Sequence, residues 1–566
     1  MGLLALCDDG KWDFIVEQFP TMKDSWDFEE TDSTGYTPLL SCVWNGSLST
    51  IQFLRKNVPS LNMNVTNKYG NTPLLLASLK GHLDIVQWLL KNGSSLDEVN
   101  NNGNTCLHEA VYGGHIHIVE WLLENGSSLD EKNNIGITCV LMAAEGGDIK
   151  MMKWLLSHGS SFDEENNEGD TCILRAAFGG QLEMVKWLHK KGCSLHEQSQ
   201  NGDTGIIKAC IKGHLDVVKW YKDNGCSLQE KSNVGNTCLL VAAGKGQLSL
   251  VKWLLNNGSS LEERNNNGNT CLLEAVFTGR MDVIEWLLDN GCSISDGNKI
   301  GITCLLIAAE AGRIDLIKWF IEKGSSLQEM SNEGDTCFLR AAFGGKIEAM
   351  QWFLDNGSSI NEKSNDGNTC ILYGAYRGNI DVIEWSLQKG LSLNEESYYG
   401  TNCILKAAFG GKLEVIKWLV EKGMSLDSKN KAGCTLMLAA GHNGHLHVMK
   451  WLYENNCSVT DRTESNDSCL TYSSKKGTLN VIKWLVDKGC TLDDMNRRGT
   501  CIMIAAENKH LEVVRWMLSN GASLEENTRY TYNGMIETTS SCEEILKRNG
   551  QFEELKRIFE TKSGRK

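Results

Sequence analysis

Residues 101–127 read NNGNTCLHEAVYGGHIHIVEWLLENGS, and residues 266–292 read NNGNTCLLEAVFTGRMDVIEWLLDNGC. The two stretches lie five periods apart, and their shared glycines set the frame for the whole chain. Gly35 is followed by Gly70, and the local sequence then returns at one fixed interval, at Gly103, Gly136, Gly169, Gly202, Gly235, Gly268, Gly301, Gly334, Gly367, Gly400, Gly433, Asn466 and Gly499. The single substitution is Asn, the side chain that best tolerates a positive φ. Fifteen full repeats at this spacing override the three or four domains that the length of 566 residues suggests.

Each repeat has a physical reading. Three residues before the turn glycine stands a short polar side chain, such as Asn100, Asn133, Ser199 or Asn496, which bonds back to its own backbone and fixes a turn. Two residues after it, Thr72, Thr105, Thr138 and their successors to Thr369, then Asn402, Thr435 and Ser468, are N-caps. A first helix such as CLLEAVFT runs to Gly279, and a second, MDVIEWLLDN, carries apolar residues at helical spacing and ends at Gly291. One such unit buries too little apolar surface to offset ordering costs of about 1.5 kcal/mol per residue. Stacked units cover one another.

The helix starts YTPLLSC, NTPLLLA, TCLHEA, TCLLEA and TCILRAA, each followed by a G-x-(L/I/M) second helix, resemble the ankyrin repeat, whose 33-residue unit carries T-P-L-H-x-A. The departure is that Pro38 and Pro73 give way to Cys106, Cys139, Cys172, Cys238, Cys271, Cys304, Cys337, Cys370 and Cys403. Proline suits the first helical position but is not required there. The expected fold is mainly α, an α-solenoid of stacked ankyrin-type helix pairs with β-hairpin or turn fingers. Residues 1–34 are expected to form an N-terminal capping helix pair, 35–528 the tandem repeats, and 529–566 a degenerate capping repeat with a short basic tail. Glu17 and Arg557 stand where inner repeats carry Trp, as water-facing end repeats should.

Composition narrows the function. The net charge of -15 repels phosphate backbones and acidic lipid, so neither nucleic acid nor membrane is expected as a partner. No apolar run is as long as a membrane-spanning helix needs, and the opening MGLLALCDDGKWDFIVEQF lacks the basic start of a secretory leader. The 21 cysteines fall largely one per layer, so equivalent sulfurs should lie about 10 Å apart, beyond disulfide reach. They are expected to be small buried hydrophobes in a reducing compartment, the cytoplasm or the nucleus. No CxxC pair or familiar ligand spacing suggests a metal site, and His82, His214 and His445 fit structural loop positions. Phosphate-loop, nucleophile-elbow, zinc-protease and kinase motifs are absent, so neither catalysis nor a cofactor is expected.

Two ladders and one face remain. Tryptophan recurs eighteen residues after the turn glycine, from Trp88 to Trp484, and is read as packing between neighbouring repeats. A carboxylate recurs five residues before it, from Glu98 through Glu395, and is read either as a solvated rim or as an acidic edge that steers basic partner segments. In the first helix, positions six, nine and ten after the glycine share a face. They carry Glu109, Arg175, Lys208, Glu274, Arg340, Tyr373 and Lys406 at position six, and Tyr112, Phe178, Phe277, Phe343, Tyr376 and Phe409 at position nine. Resemblance to ankyrin domains implies that this face and the finger tips line a concave groove for other proteins. The aromatics beside arginines are either interface anchors or packing along the groove floor. The expected function is a non-enzymatic protein–protein interaction scaffold. The alternative is a substrate-recruiting adaptor subunit of a larger enzyme such as a ubiquitin ligase.

Overall fold

The computed structural model describes residues 2–523, 529–532, 535–538 and 541–553. Two units, Met1–Cys292 and Ser293–Lys566, are each built from one recurring helix pair. In the first unit Cys106–Tyr112 is followed by Ile116–Glu124, and in the second Cys403–Phe409 is followed by Leu413–Glu421. The short polar residue predicted as N-cap takes that place: Thr72 is extended and its hydroxyl accepts the Leu75 N–H at 3.4 Å. Proline and cysteine are interchangeable one residue later, since Pro73–Lys80 and Cys106–Tyr112 start at the same repeat position.

The finger turn explains the strict glycine. Asn100 Oδ1 accepts the N–H groups of Asn102 and Asn104, both at 3.0 Å, which closes the loop around Gly103. Gly103 has φ +78°, and a Cβ there would lie 2.4 Å from Asn134 Oδ1 and 2.8 Å from Asn134 N. Conformation and close approach therefore both exclude a side chain. Asn466 takes the same left-handed conformation, with φ 65°. Successive fingers are hydrogen-bonded, for Asn134 N–H donates to Asn102 O and Asn167 N–H to Ile135 O, each at 3.0 Å. Most fingers are turns or single bridges such as Gln198–Thr204; paired strands form at Met495–Asn496 with Gly499–Thr500 and at Arg529–Tyr532 with Met535–Thr538.

Within each unit a first helix packs on its own second helix and on the first helices of the adjoining repeats. That spine is lined by Cys106, Leu107, Ala110 and Val111 on the first helix and Ile118, Val119 and Leu122 on the second, all fully buried. The small Cys and Ala side chains let the first helices approach closely. No disulfide joins the cysteines, and the ladder from Cys106 to Cys403 is buried. Tryptophan contacts neighbouring repeats as expected, but it is not fully buried. The ring lies beside the apolar stripe of the second helix, and from Trp88 to Trp516 every residue of the ladder is half-buried. Neighbouring repeats still use it: Trp154 Nε1 donates to Glu120 at 3.1 Å, and Lys252 lies 5.5 Å from the Trp286 ring centre.

At the N-terminal end Leu3–Asp8 and Trp12–Met22 form a helix pair with Glu17 exposed. Near the other end Cys542–Arg548 is closed by a capping box between Ser541 and Glu544. Arg557 and the basic tail lie outside the described residues.

Candidate functional site

Position six of the first helix is mostly committed to its own surroundings. Glu109 is buried and its Oε1 accepts from Asn100 and Asn104, each at 3.0 Å. Burial raises its carboxyl pKa, while the two amide donors pull it down. Glu274, five repeats on, reproduces the arrangement with Asn265 and Asn269. Arg175 pairs with Glu145 and with the buried Asp170, which also meets Lys208 Nζ at 2.7 Å. Lys208 lies 3.6 Å from Asp203, whose carboxyl is raised by burial against the pull of that lysine. In the second unit Arg340 repeats the pairing with Glu310 and Asp335, and Tyr373 takes the place of Lys208 by donating its hydroxyl to Asp335. Lys406 is half-buried, makes no ion pair among the described residues, and has its pKa lowered by burial against the charge of Asp366.

Position nine divides into two groups. Phe178 is half-buried between Arg175 and Lys212, whose charges lie 4.7 Å and 4.6 Å from the ring centre. Phe343 sits likewise under Arg340 and Arg377 at 4.8 Å and 4.5 Å, stacked on Tyr376 and edge-on to Tyr373. Phe409 is half-buried beside His442. These rings form part of the floor, where the cation–π geometry holds Phe178 and Phe343. Tyr112 and Phe277 differ, at 49% and 63% exposed. They occupy the same place in the two duplicated stretches.

Each borders a cleft of the first unit. A cavity of about 520 Å³ is lined by Tyr112, Glu109, Glu145, Arg175, Met142 and the finger residues Asn101, Asn102, Asn134 and Ile135. A second, of about 450 Å³, is lined by Phe277, Glu274, Leu240, Val241, Gly244 and finger residues that include Asn233 and Val234. Polar turns on one wall and an exposed aromatic on the other suit a peptide segment, which needs hydrogen-bond partners and an apolar anchor.

The acidic ladder is not a free rim. The Thr72 and Thr105 hydroxyls donate to Glu98 and Glu131 at 2.5 Å, and Thr171, Thr237, Thr303 and Thr336 donate in the same way to Glu197, Glu263, Glu329 and Glu362. The second oxygen accepts a backbone N–H, as Glu98 does from Ser95 at 2.9 Å. Each of these carboxylates thus ties the start of a first helix to the loop after its second helix. The signal was in the sequence, since each Glu follows its Thr at a constant separation along the chain. The loop histidines are structural as expected: His214 and His445 bond to the carbonyls of Phe178 and Phe409, at 3.1 Å and 3.0 Å, and His115 does the same to Leu79 at 3.0 Å.

One repeat breaks the pattern. Gly205 stands in the cysteine place and Tyr221 in the place usually held by Leu, so that a Cβ on Gly205 would lie 2.2 Å from the Tyr221 hydroxyl. In the same repeat the Thr204 hydroxyl and Glu230 Oε2 are both buried, and neither has a hydrogen-bond partner. Glu230 Oε1 lies 3.9 Å from His196 Nδ1, with Cys226 beside them. Burial, with the charge of Glu230 second, pushes the Cys226 thiol up to about 11. Chain spacing did not reveal this group, because its members come from two repeats.

Two family models match the chain. One, for ankyrin repeats in three copies, covers residues 39–133, 173–265, 206–298, 338–430, 371–463 and 436–528. The other, for ankyrin repeats in many copies, covers 117–156, 140–189 and 305–354. Together they span 39–528 except for residues 299–304. No curated protein matches the chain. No helix among the described residues is long and apolar enough to cross a membrane.

Proposed function

Since the chain belongs to the ankyrin repeat family, whose repeats are generally protein–protein interaction modules, we propose that it is a non-enzymatic scaffold for segments of partner proteins. The segments lie against the first-helix face and the finger turns. Exposure of Tyr112 and Phe277 beside polar clefts is the observation that carries this reading. Large aromatics of this kind dominate binding energy when a partner buries them. Phe178, Phe343, Tyr376 and Phe409 support the surface from below, while Glu109, Arg175, Lys208, Glu274, Arg340 and Tyr373 set its charge pattern. Lys406, which makes no ion pair among the described residues, is a cation that a partner carboxylate can reach on this face. The free thiols favour a reducing compartment, and we place the protein in the cytoplasm or nucleus.

A photoreactive phenylalanine analogue at position 112 or 277, with position 154 on the second helix as the control, tests the surface in cells. Crosslinked partners at 112 and 277 but not at 154 support the proposal. Partners recovered only at 154 sink it.

A further inference from the structure

We propose that His196, Cys226 and Glu230, drawn from two successive repeats of the first unit, bind one zinc-class divalent cation. Among the described residues this is the one group of three such side chains whose ligand atoms all lie within 4.8 Å of one another. The set joins an imidazole nitrogen, a thiolate sulfur and a carboxylate oxygen. That mixture suits zinc and its first-row neighbours and disfavours magnesium or calcium. Tetrahedral bonds of about 2.0–2.3 Å put neighbouring ligand atoms about 3.3–3.8 Å apart, so the group must tighten slightly on binding. The His196 side chain is 72% exposed and free to swing inward, while Cys226 is buried and fixed. Water completes the fourth position.

The hydrogen bonding around the group points the same way. On either side, Thr171 donates to Glu197 and Thr237 donates to Glu263. Between them the matching pair, Thr204 and Glu230, is unmade; the Thr138 and Thr369 hydroxyls are likewise buried without a partner, but among the described residues Glu230 Oε2 is the one glutamate oxygen left so. A buried anionic oxygen without a partner is costly, and a cation compensates it directly. Glu230 is held in place through Oε1, which accepts the Ser227 N–H at 3.2 Å. The flanking repeats also lack the full ligand set: the place of His196 holds Asp163 and Gln229, and that of Cys226 holds Cys193 and Ser259. When the cation binds, the Cys226 thiol proton goes to solvent and sulfur ligates as thiolate, so one proton is released for each cation taken up.

Cobalt(II) titration of the reduced, chelator-treated full chain tests the site, with the thiolate-to-cobalt charge-transfer absorption as the readout. Wild type should bind one equivalent that zinc displaces. Cys226→Ser should abolish that absorption, and His196→Ala should weaken binding on the order of 100-fold or more, at least the loss seen for second-shell partners. Cys457→Ser should leave it unchanged, since Cys457 takes the same repeat place beside Asp427 and Asp461. His196 is exposed, so its variant tests the site even if Cys226→Ser fails to fold. Absorption that is absent from wild type, or equal in wild type and the His196→Ala variant, overturns the proposal.

Discussion

Gly205 and Tyr221 show how one position sets another. Cysteine fills the first helical place in the neighbouring repeats, but here the Tyr221 ring occupies its volume. Gly205→Cys should therefore overpack the site and cost about 1–3 kcal/mol. Tyr221→Leu alone leaves a void, and the two changes together restore the usual pair. A double-mutant cycle by denaturant melting should show coupling of about 0.5–3 kcal/mol; simple additivity would contradict the packing argument. His108 gives a pH prediction. It is fully buried, its Nε2 donates to Ile137 O at 3.0 Å, and its Nδ1 faces the Thr105 N–H at 3.4 Å. A neutral ring satisfies both contacts, and burial lowers its pKa. The folded value lies below the unfolded one. Its contribution is therefore present above the ordinary histidine range and lost as pH falls through it. Melts between about pH 7 and pH 5 should show wild type losing more stability than His108→Gln.

In each unit, a set of helices shares one buried charge cluster. Asp170 receives both Arg175 and Lys208, so Asp170→Ala leaves two cations without their common partner. The expected cost is about 3–5 kcal/mol. Because repeats unfold locally, hydrogen exchange is the better readout, with protection lost first in Cys172–Phe178 and Gly205–Lys212. Loss confined to the finger turn would count against the cluster. The helices themselves could be read from Thr, Cys and the closing glycine, because capping and periodicity are local. The roles of Arg175 and Arg340 could not, since their acids Glu145 and Glu310 come from the preceding repeat. The acidic ladder differs, for each threonine donor lies in the same repeat as its glutamate, at a constant separation that the sequence already displays.

Across the whole chain, the repeat period dictated the architecture, and the family matches agree with it. The binding face was less accessible from sequence. Six aromatics share one repeat position, and the cation-covered Phe178 differs from the exposed Phe277 within its own helix, where Arg175 stands in the place of Glu274, but that contrast reads as burial only once the packing is known. Burial goes with one cation from the same helix, Arg175 or Arg340, and a second from the next repeat, Lys212 or Arg377. The account's central claim is that the exposed members recruit protein partners. Affinity capture with mass spectrometry should compare wild type, a Tyr112→Glu/Phe277→Glu variant and a Trp154→Glu control, with matched helicity and melting. Partners retained by wild type and control but lost from the double variant are the predicted result. Equal recovery by all three would contradict it.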